Sequence, residues 1–282
     1  MALPKEIFGY TVVRFLGEGA GSNIYAVTHP KNRQIYAMKH VVRGDDRSVR
    51  FIEQLDNEYE VGQQVRHPLL RGVVERLVSR SVLLRVNEAA LVMELVDGRS
   101  LGDERPASIG QTVSIFEQTA SALAAMHAAG YVHCDLKPAN ILVNGAGGVK
   151  VIDLGQACRT GTAKARIQGT PDYIAPEQVK CQPVMPQTDV YNFGATLYYT
   201  LTGQKMPTLF TLKKGENSFL VDSHLPTPTE LNPQVPAALS KFVMECVRTN
   251  PSKRPRDMAN VQARLAMLKK VVEGEESRVS VA

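Results

Sequence analysis

The chain has 282 residues, 44% of them hydrophobic, and a formal net charge of +5, which allows one large domain or two small ones around a sizeable core. Its lysines and arginines are scattered without an aromatic–basic module, so no nucleic-acid partner is expected. The four cysteines lack CxxC or metal-ligand spacing, the start Met-Ala-Leu-Pro-Lys-Glu is no apolar leader, and no run of about 18 apolar residues occurs. An intracellular, cytoplasmic chain with reduced thiols and no membrane segment of its own is therefore expected; an anchor in sequence beyond Ala282 stays open.

In chain order, Tyr10–Leu16, Ile24–His29 and Ile35–Val42 are rich in β-branched and aromatic residues and read as strands, with Pro30-Lys31-Asn32 as a hairpin tip. Ser48–Val65 reads as a helix, because Phe51, Leu55, Val61 and Val65 recur at roughly helical spacing. Two further strands are expected across residues 70–96, and Asp97-Gly98 marks the exit from that sheet. The period then changes. Ile109, Val113, Phe116, Ala120, Leu123 and His127 stand three or four apart, a long helix with one buried stripe that stops at Gly130. Asp189–Leu201 is apolar nearly all round, as a buried central helix is. Pro236–Val247 and Asp257–Val272 read as closing helices, and residues 203–235, rich in Pro, Thr and Gly, give no pattern. The charged stretch 273–282 is expected to be a loose tail. A strand-rich part followed by a helical part predicts an α+β fold with two lobes, about 8–97 and about 98–272.

Four motifs carry chemistry. Gly17-Glu18-Gly19-Ala20-Gly21-Ser22-Asn23-Ile24 stands between two predicted strands, and its glycines let a backbone bend sharply and bring N–H groups to phosphate oxygens. A plain structural turn is the alternative. Tyr36-Ala37-Met38-Lys39 puts a lysine on a strand, where burial demands anionic partners such as phosphate oxygens and a helix glutamate, Glu58 or Glu60. His133-Cys134-Asp135-Leu136-Lys137-Pro138-Ala139-Asn140 follows the long helix. Asp135 can accept the proton of an attacking hydroxyl, Lys137 can neutralise charge on a transferred phosphoryl group, and Asn140 offers a neutral oxygen to a metal ion. Thirteen residues after Asn140 comes Asp153-Leu154-Gly155, whose carboxylate can hold Mg²⁺ between phosphates. The loop that begins there closes at Gly169-Thr170-Pro171-Asp172-Tyr173-Ile174-Ala175-Pro176-Glu177. Glu177 and Arg254 are expected to pair, since either charge buried alone is costly.

In this order and spacing, the stretch from about Tyr10 to Leu268 resembles the catalytic domain of eukaryotic-like Ser/Thr protein kinases. The resemblance implies a bilobal fold with ATP in the cleft, Mg²⁺ or Mn²⁺ as the metal, and phosphoryl transfer to a Ser or Thr hydroxyl of a protein substrate. It implies Asp135 as catalytic base beside Lys137, with Asn140 and Asp153 as metal ligands. Lys39 would pair with Glu58, chosen over Glu60 by its distance to His67-Pro68. Gly17, Gly19, Gly21 and Ser22 would cover the phosphates, while Leu16, Ile24, Ala37 and Leu142 would sandwich the adenine. Met93 would be the gatekeeper, and the backbone of Glu94 and Val96 would hydrogen-bond the base. The Asp135–Asn140 loop and Thr170 resemble the Ser/Thr type rather than the tyrosine type. A pseudokinase-type binding scaffold is the alternative, against which Lys39, Asp135, Lys137, Asn140 and Asp153 are all present.

Four departures from the family pattern stand out. Gly21 precedes Ser22, which holds the usual place of the third glycine. Leu154 replaces a phenylalanine. Gly62, four residues after Glu58, stands where a bulky apolar side chain is usual, so either the helix-to-core stack is weakened or the Glu58 register is wrong. Cys134 replaces the arginine that in many kinases contacts a phosphate on the activation loop, which makes this chain a non-RD type. Activity without loop phosphorylation is therefore expected. Thr160 and Thr162 remain as hydroxyls in that loop, with Arg159, Lys164 and Arg166 as its cations.

Overall fold

The structure is a computed structural model that describes residues 3–19, 21–81, 85–211 and 225–279. They divide into two compact units, one reaching to Asp97 and including Asp153–Gly155, the other comprising Gly98–Ile152 and the residues from Gln156 onward. Ala20 of the glycine-rich motif, residues 212–224 and the last three residues of the charged tail lie outside the described residues.

The first unit is built on an antiparallel sheet of six strands: β1 (Glu6–Ile7), β2 (Tyr10–Gly19), β3 (Ser22–Thr28), β4 (Ile35–Val42), β5 (Val73–Arg80) and β6 (Val86–Glu94), in the spatial order β1-β2-β3-β4-β6-β5. Helix α1 (Asp46–Gln64) connects β4 to β5. A reciprocal cap fixes its start: the Ser48 N–H donates to Asp45 Oδ1 at 3.0 Å, and the Asp45 N–H donates to Ser48 Oγ at 3.1 Å. Alternation along β4 sorts its side chains between two apolar clusters. Met38 packs with Tyr10, Tyr25, Val27 and Val92, whereas Ala37 and Val41 pack with Ile52 and Leu55 of α1 and with Leu91 and Met93. By the same parity Lys39 belongs to the α1 face. Leu55 is fully buried there, which stabilises the unit by about 1.5–3 kcal/mol.

That face also explains Gly62. A Cβ at this position would stand 2.6 Å from Val73 Cγ2, so β5 fills the space that a bulky side chain on α1 would otherwise occupy. The helix-to-sheet stack is thus filled from β5 rather than from α1. Gly62→Ala is expected to lower the melting temperature despite the better helix propensity of alanine, because both methyls of the stiff Val73 lie within 2.8 Å of the new Cβ. Combined with Val73→Ala, the loss should be smaller than the sum of the two single losses. Strict additivity in that thermal-melt cycle would show that the two residues do not compete for one space.

The second unit is mainly helical. It contains β7 (Arg99–Ser100), α2 (Ile109–Ala128), β8 (Tyr131–Val132), β9 (Ile141–Val143), β10 (Val149–Val151), β11 (Cys158–Arg159), α3 (Pro176–Val179), α4 (Pro186–Thr202), α5 (Pro228–Leu231), α6 (Ala237–Cys246) and α7 (Met258–Val279). The short strands pair as β10-β9-β7 and as β11-β8. Ser108 caps α2 by accepting the Gln111 N–H at 3.1 Å, and the helix ends just before Gly130. Its stripe packs on α4 through Phe116 and Phe193, edge to face with centroids 5.1 Å apart. Helix α4 is buried from Thr188 to Tyr198, which is why its sequence is apolar nearly all round. The tail differs from expectation: α7 runs through Glu273 to Val279. Glu and Arg extend a helix at little cost and no proline interrupts the stretch, so it continues through Gly274 despite a cost of about 1 kcal/mol there. Among the described residues, no helix is long and apolar enough to cross a membrane.

Candidate active site

In the first unit, Lys39 on β4 donates to Glu58 Oε2 at 2.7 Å and to Asp153 Oδ1 at 3.0 Å. Glu58 is the inward-facing glutamate of α1, almost fully buried, while Glu60 is exposed. Two residues of helix turn one carboxylate in and the other out. Burial alone would lower the Lys39 pKa, but Asp153 and Glu58 outweigh it and hold the ammonium above its ordinary value. Sequence reasoning missed a third participant. Arg71, just before β5, donates to Glu58 Oε1 at 3.2 Å, so this carboxylate is shared by two cations. Asn57, the residue before Glu58, donates through Nδ2 to the carbonyls of Leu154 and Gly155, each at 3.2 Å, which ties the Asp153 segment to α1. Asp153 itself has φ +66°, a left-handed conformation that a non-glycine residue adopts only when its surroundings enforce it.

The glycine-rich turn between β2 and β3 belongs to the same unit. Gly21 has φ +72°, and a Cβ there would lie 2.1 Å from the Phe51 ring on α1. The glycine one place early is thus required by its neighbour as well as by its backbone. Ser22, in the place of the third glycine, is buried, and its Oγ has no hydrogen-bond partner among the described residues. Leu16, Gly17, Gly19 and Ile24 are half-buried on the flanking strands. Ala37 and Met93 are opposed in the β4–β6 ladder and are buried. The Glu94 N–H is committed to the Gly72 carbonyl at 2.9 Å, which directs any base contact at Glu94 to its carbonyl. Val96 is half-buried two residues on.

In the second unit, the loop between β8 and β9 holds Asp135, Lys137 and Asn140. Lys137 Nζ donates to Asp135 Oδ2 at 3.0 Å and to Thr170 Oγ1 at 3.0 Å, and Thr170 Oγ1 donates to Asp135 Oδ1 at 2.7 Å. A carboxylate, an ammonium and a hydroxyl therefore form a closed triangle. Asn140 is buried and donates through Nδ2 to the Asp135 carbonyl at 2.8 Å, which orients the amide. The Asp135 N–H donates to His133 Nδ1 at 3.2 Å. Leu142 is half-buried on β9.

Two anchors of this loop were not assigned from the sequence. Asp189 of α4, fully buried, accepts the backbone N–H groups of His133 at 2.8 Å and Cys134 at 2.9 Å, and contacts His127 Nε2 at 2.8 Å. Burial alone would raise its pKa, yet these donors hold the carboxyl below the ordinary aspartate value. Gln178 of α3 donates through Nε2 to the Cys134 carbonyl at 2.7 Å and to the Gln168 carbonyl at 3.1 Å, so one amide clips the loop to the segment that carries Thr170. A polar residue at the start of a buried helix was the visible signal for Asp189; nothing in the spacing pointed to Gln178. Cys134, between these anchors, has φ +67°.

Within the first unit, Asp153 is a hard oxygen donor of the kind Mg²⁺ takes, Lys39 is a buried cation, and the Ser22 hydroxyl, without a partner among the described residues, lies on a turn whose glycines permit close approach.

The protein kinase domain profile matches residues 10–265. A probable serine/threonine-protein kinase of Corynebacterium efficiens is 30% identical over 96% of the chain and 43% of its own length. Serine/threonine-protein kinase pkn3 of Myxococcus xanthus is 28% identical over 93% of the chain and 50% of its own length. PknD of Chlamydia abortus is 27% identical over 94% of the chain and 31% of its own length. The chain spans half or less of the length of these curated relatives.

Proposed function

Because the chain belongs to the protein kinase family, we propose that it transfers the γ-phosphoryl group of ATP to a serine or threonine hydroxyl of a protein substrate. Bound ATP supplies the phosphoryl group and Mg²⁺ the main counter-charge. The chain's own groups bind, orient and move one proton. Lys39, held by Glu58, binds phosphate oxygens. Asp153 and Asn140 supply oxygen ligands to the metal. Gly17, Gly19, Gly21 and Ser22 cover the phosphates. Leu16, Ile24, Ala37 and Leu142 hold the adenine against Met93, with the backbone of Glu94 and Val96 at its edge. Asp135 orients the substrate hydroxyl and takes its proton, and Lys137 offsets the charge that develops on the transferred group.

The observation that carries this reading is the Asp135–Lys137–Thr170 triangle, closed by contacts of 2.7–3.0 Å. Thr170 occupies with its own hydroxyl the kind of hydrogen bond that a substrate hydroxyl needs. The test is intact-mass measurement after incubation with MgATP, beside the Asp135→Asn variant. Added phosphate in the parent but not in the variant is expected; a parent that binds ATP yet gains and passes on no phosphate would be a binding scaffold.

Control of the activity is proposed to need no phosphate on the Asp153–Glu177 segment. Cys134 provides no cation, Arg159 stacks on Tyr131 at 4.1 Å while donating to the Ala129 carbonyl, and Lys164 donates to the Gln156 carbonyl. Two of the segment's three cations are thus already engaged. After phosphatase treatment, the Thr160→Ala, Thr162→Ala double variant is expected to phosphorylate a separate substrate at the parent's rate. A large loss relative to the fully phosphorylated parent, with ATP binding unchanged, would refute this.

A further inference from the structure

The residue that replaces the family's arginine lies against a second thiol. Cys134 Sγ and Cys158 Sγ are 3.7 Å apart, and neither is in a disulfide. The placement is built into the fold. Strand β11 pairs with β8 so that Cys158 sits opposite Val132, two residues before Cys134. Both sulfurs pack in one small cluster with Val132 and Val184. Cys134 is fully buried and Cys158 is partly exposed, so only one of the pair is open to a reagent from solution. A disulfide needs a sulfur separation of about 2.04 Å, a closure of about 1.7 Å from the present distance, so the two residues must be drawn toward one another.

We propose that Cys134 and Cys158 form a redox modification site, in which a peroxide converts the two thiols to a disulfide and thereby slows phosphoryl transfer. The Cys158 thiolate attacks one peroxide oxygen, the O–O bond breaks, and the leaving hydroxide takes up a proton to become water. Cys158 is then a sulfenic acid. Cys134 Sγ attacks that sulfur, the S–O bond breaks, and the hydroxide leaves with the Cys134 proton as a second water. Two electrons pass from the two sulfurs to one peroxide, and the balance closes.

The surroundings divide the roles. The hydrogen bond from Cys134 is the main influence that lowers the pKa of Cys158. Burial opposes it, Lys164 and a hydrogen bond from Thr162 reinforce it, and Asp189 works against it. The same bond, together with burial and Asp189, raises Cys134. Cys158 is therefore the attacking thiolate and Cys134 the resolving thiol. Cys134 is also the residue whose N–H is held by Asp189 and whose carbonyl is held by Gln178, directly before Asp135. Drawing its sulfur toward β11 pulls on the backbone that positions Asp135.

The effect on rate rests on the kinase reading, but the bridge itself does not, so the two are measured separately. The full chain is treated with hydrogen peroxide, alkylated, and examined by intact mass and by tryptic mapping without reduction. Residues 100–150, which carry Cys134, should be joined to residues 151–159, which carry Cys158. A bridge that includes Cys181, a link between two chains, a sulfinic acid at Cys158, or no modification until the buried Cys246 also reacts would each overturn the site. In the rate assay the oxidised parent should lose about tenfold or more, the scale of a misplaced catalytic group, and recover with dithiothreitol. Cys158→Ser and Cys158→Ala should keep the reduced parent's rate before and after peroxide. Equal losses in parent and variants, or a bridged parent at full rate, would overturn the effect on activity while leaving the bridge map to stand by itself.

Discussion

Asp153→Ala and Lys39→Met are each expected to lower phosphoryl transfer on the order of 10³-fold or more, the scale on which charge-stabilising groups act at a transferring phosphoryl group. The two losses have different structural consequences. Asp153 is partly exposed and bonded to Lys39, so its removal leaves Lys39 still paired with Glu58 at 2.7 Å. The melting temperature of Asp153→Ala should therefore fall only slightly, by the cost of an alanine at φ +66°, about 1 kcal/mol. Lys39→Met takes one of two cations from a buried carboxylate and leaves Arg71 at 3.2 Å as the other. That variant should fold, with a lower melting temperature. Steady-state rates on a protein substrate, together with thermal melts of both proteins, check this. Either variant, purified and folded with the parent's turnover, would remove the assignment.

Arg254→Ala is expected to destabilise the helical unit by roughly 3–5 kcal/mol, the cost of breaking a buried ion pair. Arg254 and Glu177 are both buried, and their contacts are bidentate at 2.8 and 3.0 Å. Without the arginine, the Glu177 carboxylate keeps a hydroxyl donor, Thr188, at 2.9 Å, but loses the cation it is paired with. Glu177→Ala is expected to cost less. Arg254 would still donate to the carbonyls of Arg248, Gln187 and Thr249, and it lies over the Tyr191 ring at 4.9 Å. For a unit of this size the arginine variant should melt roughly 6–20 °C lower. Melting temperatures unchanged in both single variants would contradict the pairing, and the reverse order of losses would contradict the account of what remains.

The elements whose pattern is local were legible in the sequence. Strands β3 and β4 follow from β-branched runs around Pro30-Lys31-Asn32, and α2 follows from one stripe at helical spacing. Residue types and their order are enough to name Lys39, Asp135, Asn140 and Asp153 as candidates from the sequence. What depends on partners distant in sequence was not legible. The distance to His67-Pro68 favours Glu58 over Glu60, but the physical reason, which face of α1 meets the sheet, is not in the sequence. Gly62 makes sense only once Val73 is seen filling its place. Arg71 carries no motif, and its role as a second cation on Glu58 comes from the path of the chain into β5. The apposition of Cys134 and Cys158 depends on the β8–β11 pairing, two residues long and invisible to periodicity.

The grip of Asp189 on the loop before Asp135 has a consequence for how long its protons are kept. The amides of His133 and Cys134 are buried and end on a carboxylate of the buried helix α4. They belong to no regular helix or sheet, the class of amide that usually exchanges with deuterium within minutes. Here they can open only when α4 moves, so their exchange should follow the global unfolding of the helical unit. The segment that sets the geometry of Asp135 is a loop by shape and part of the core by rigidity.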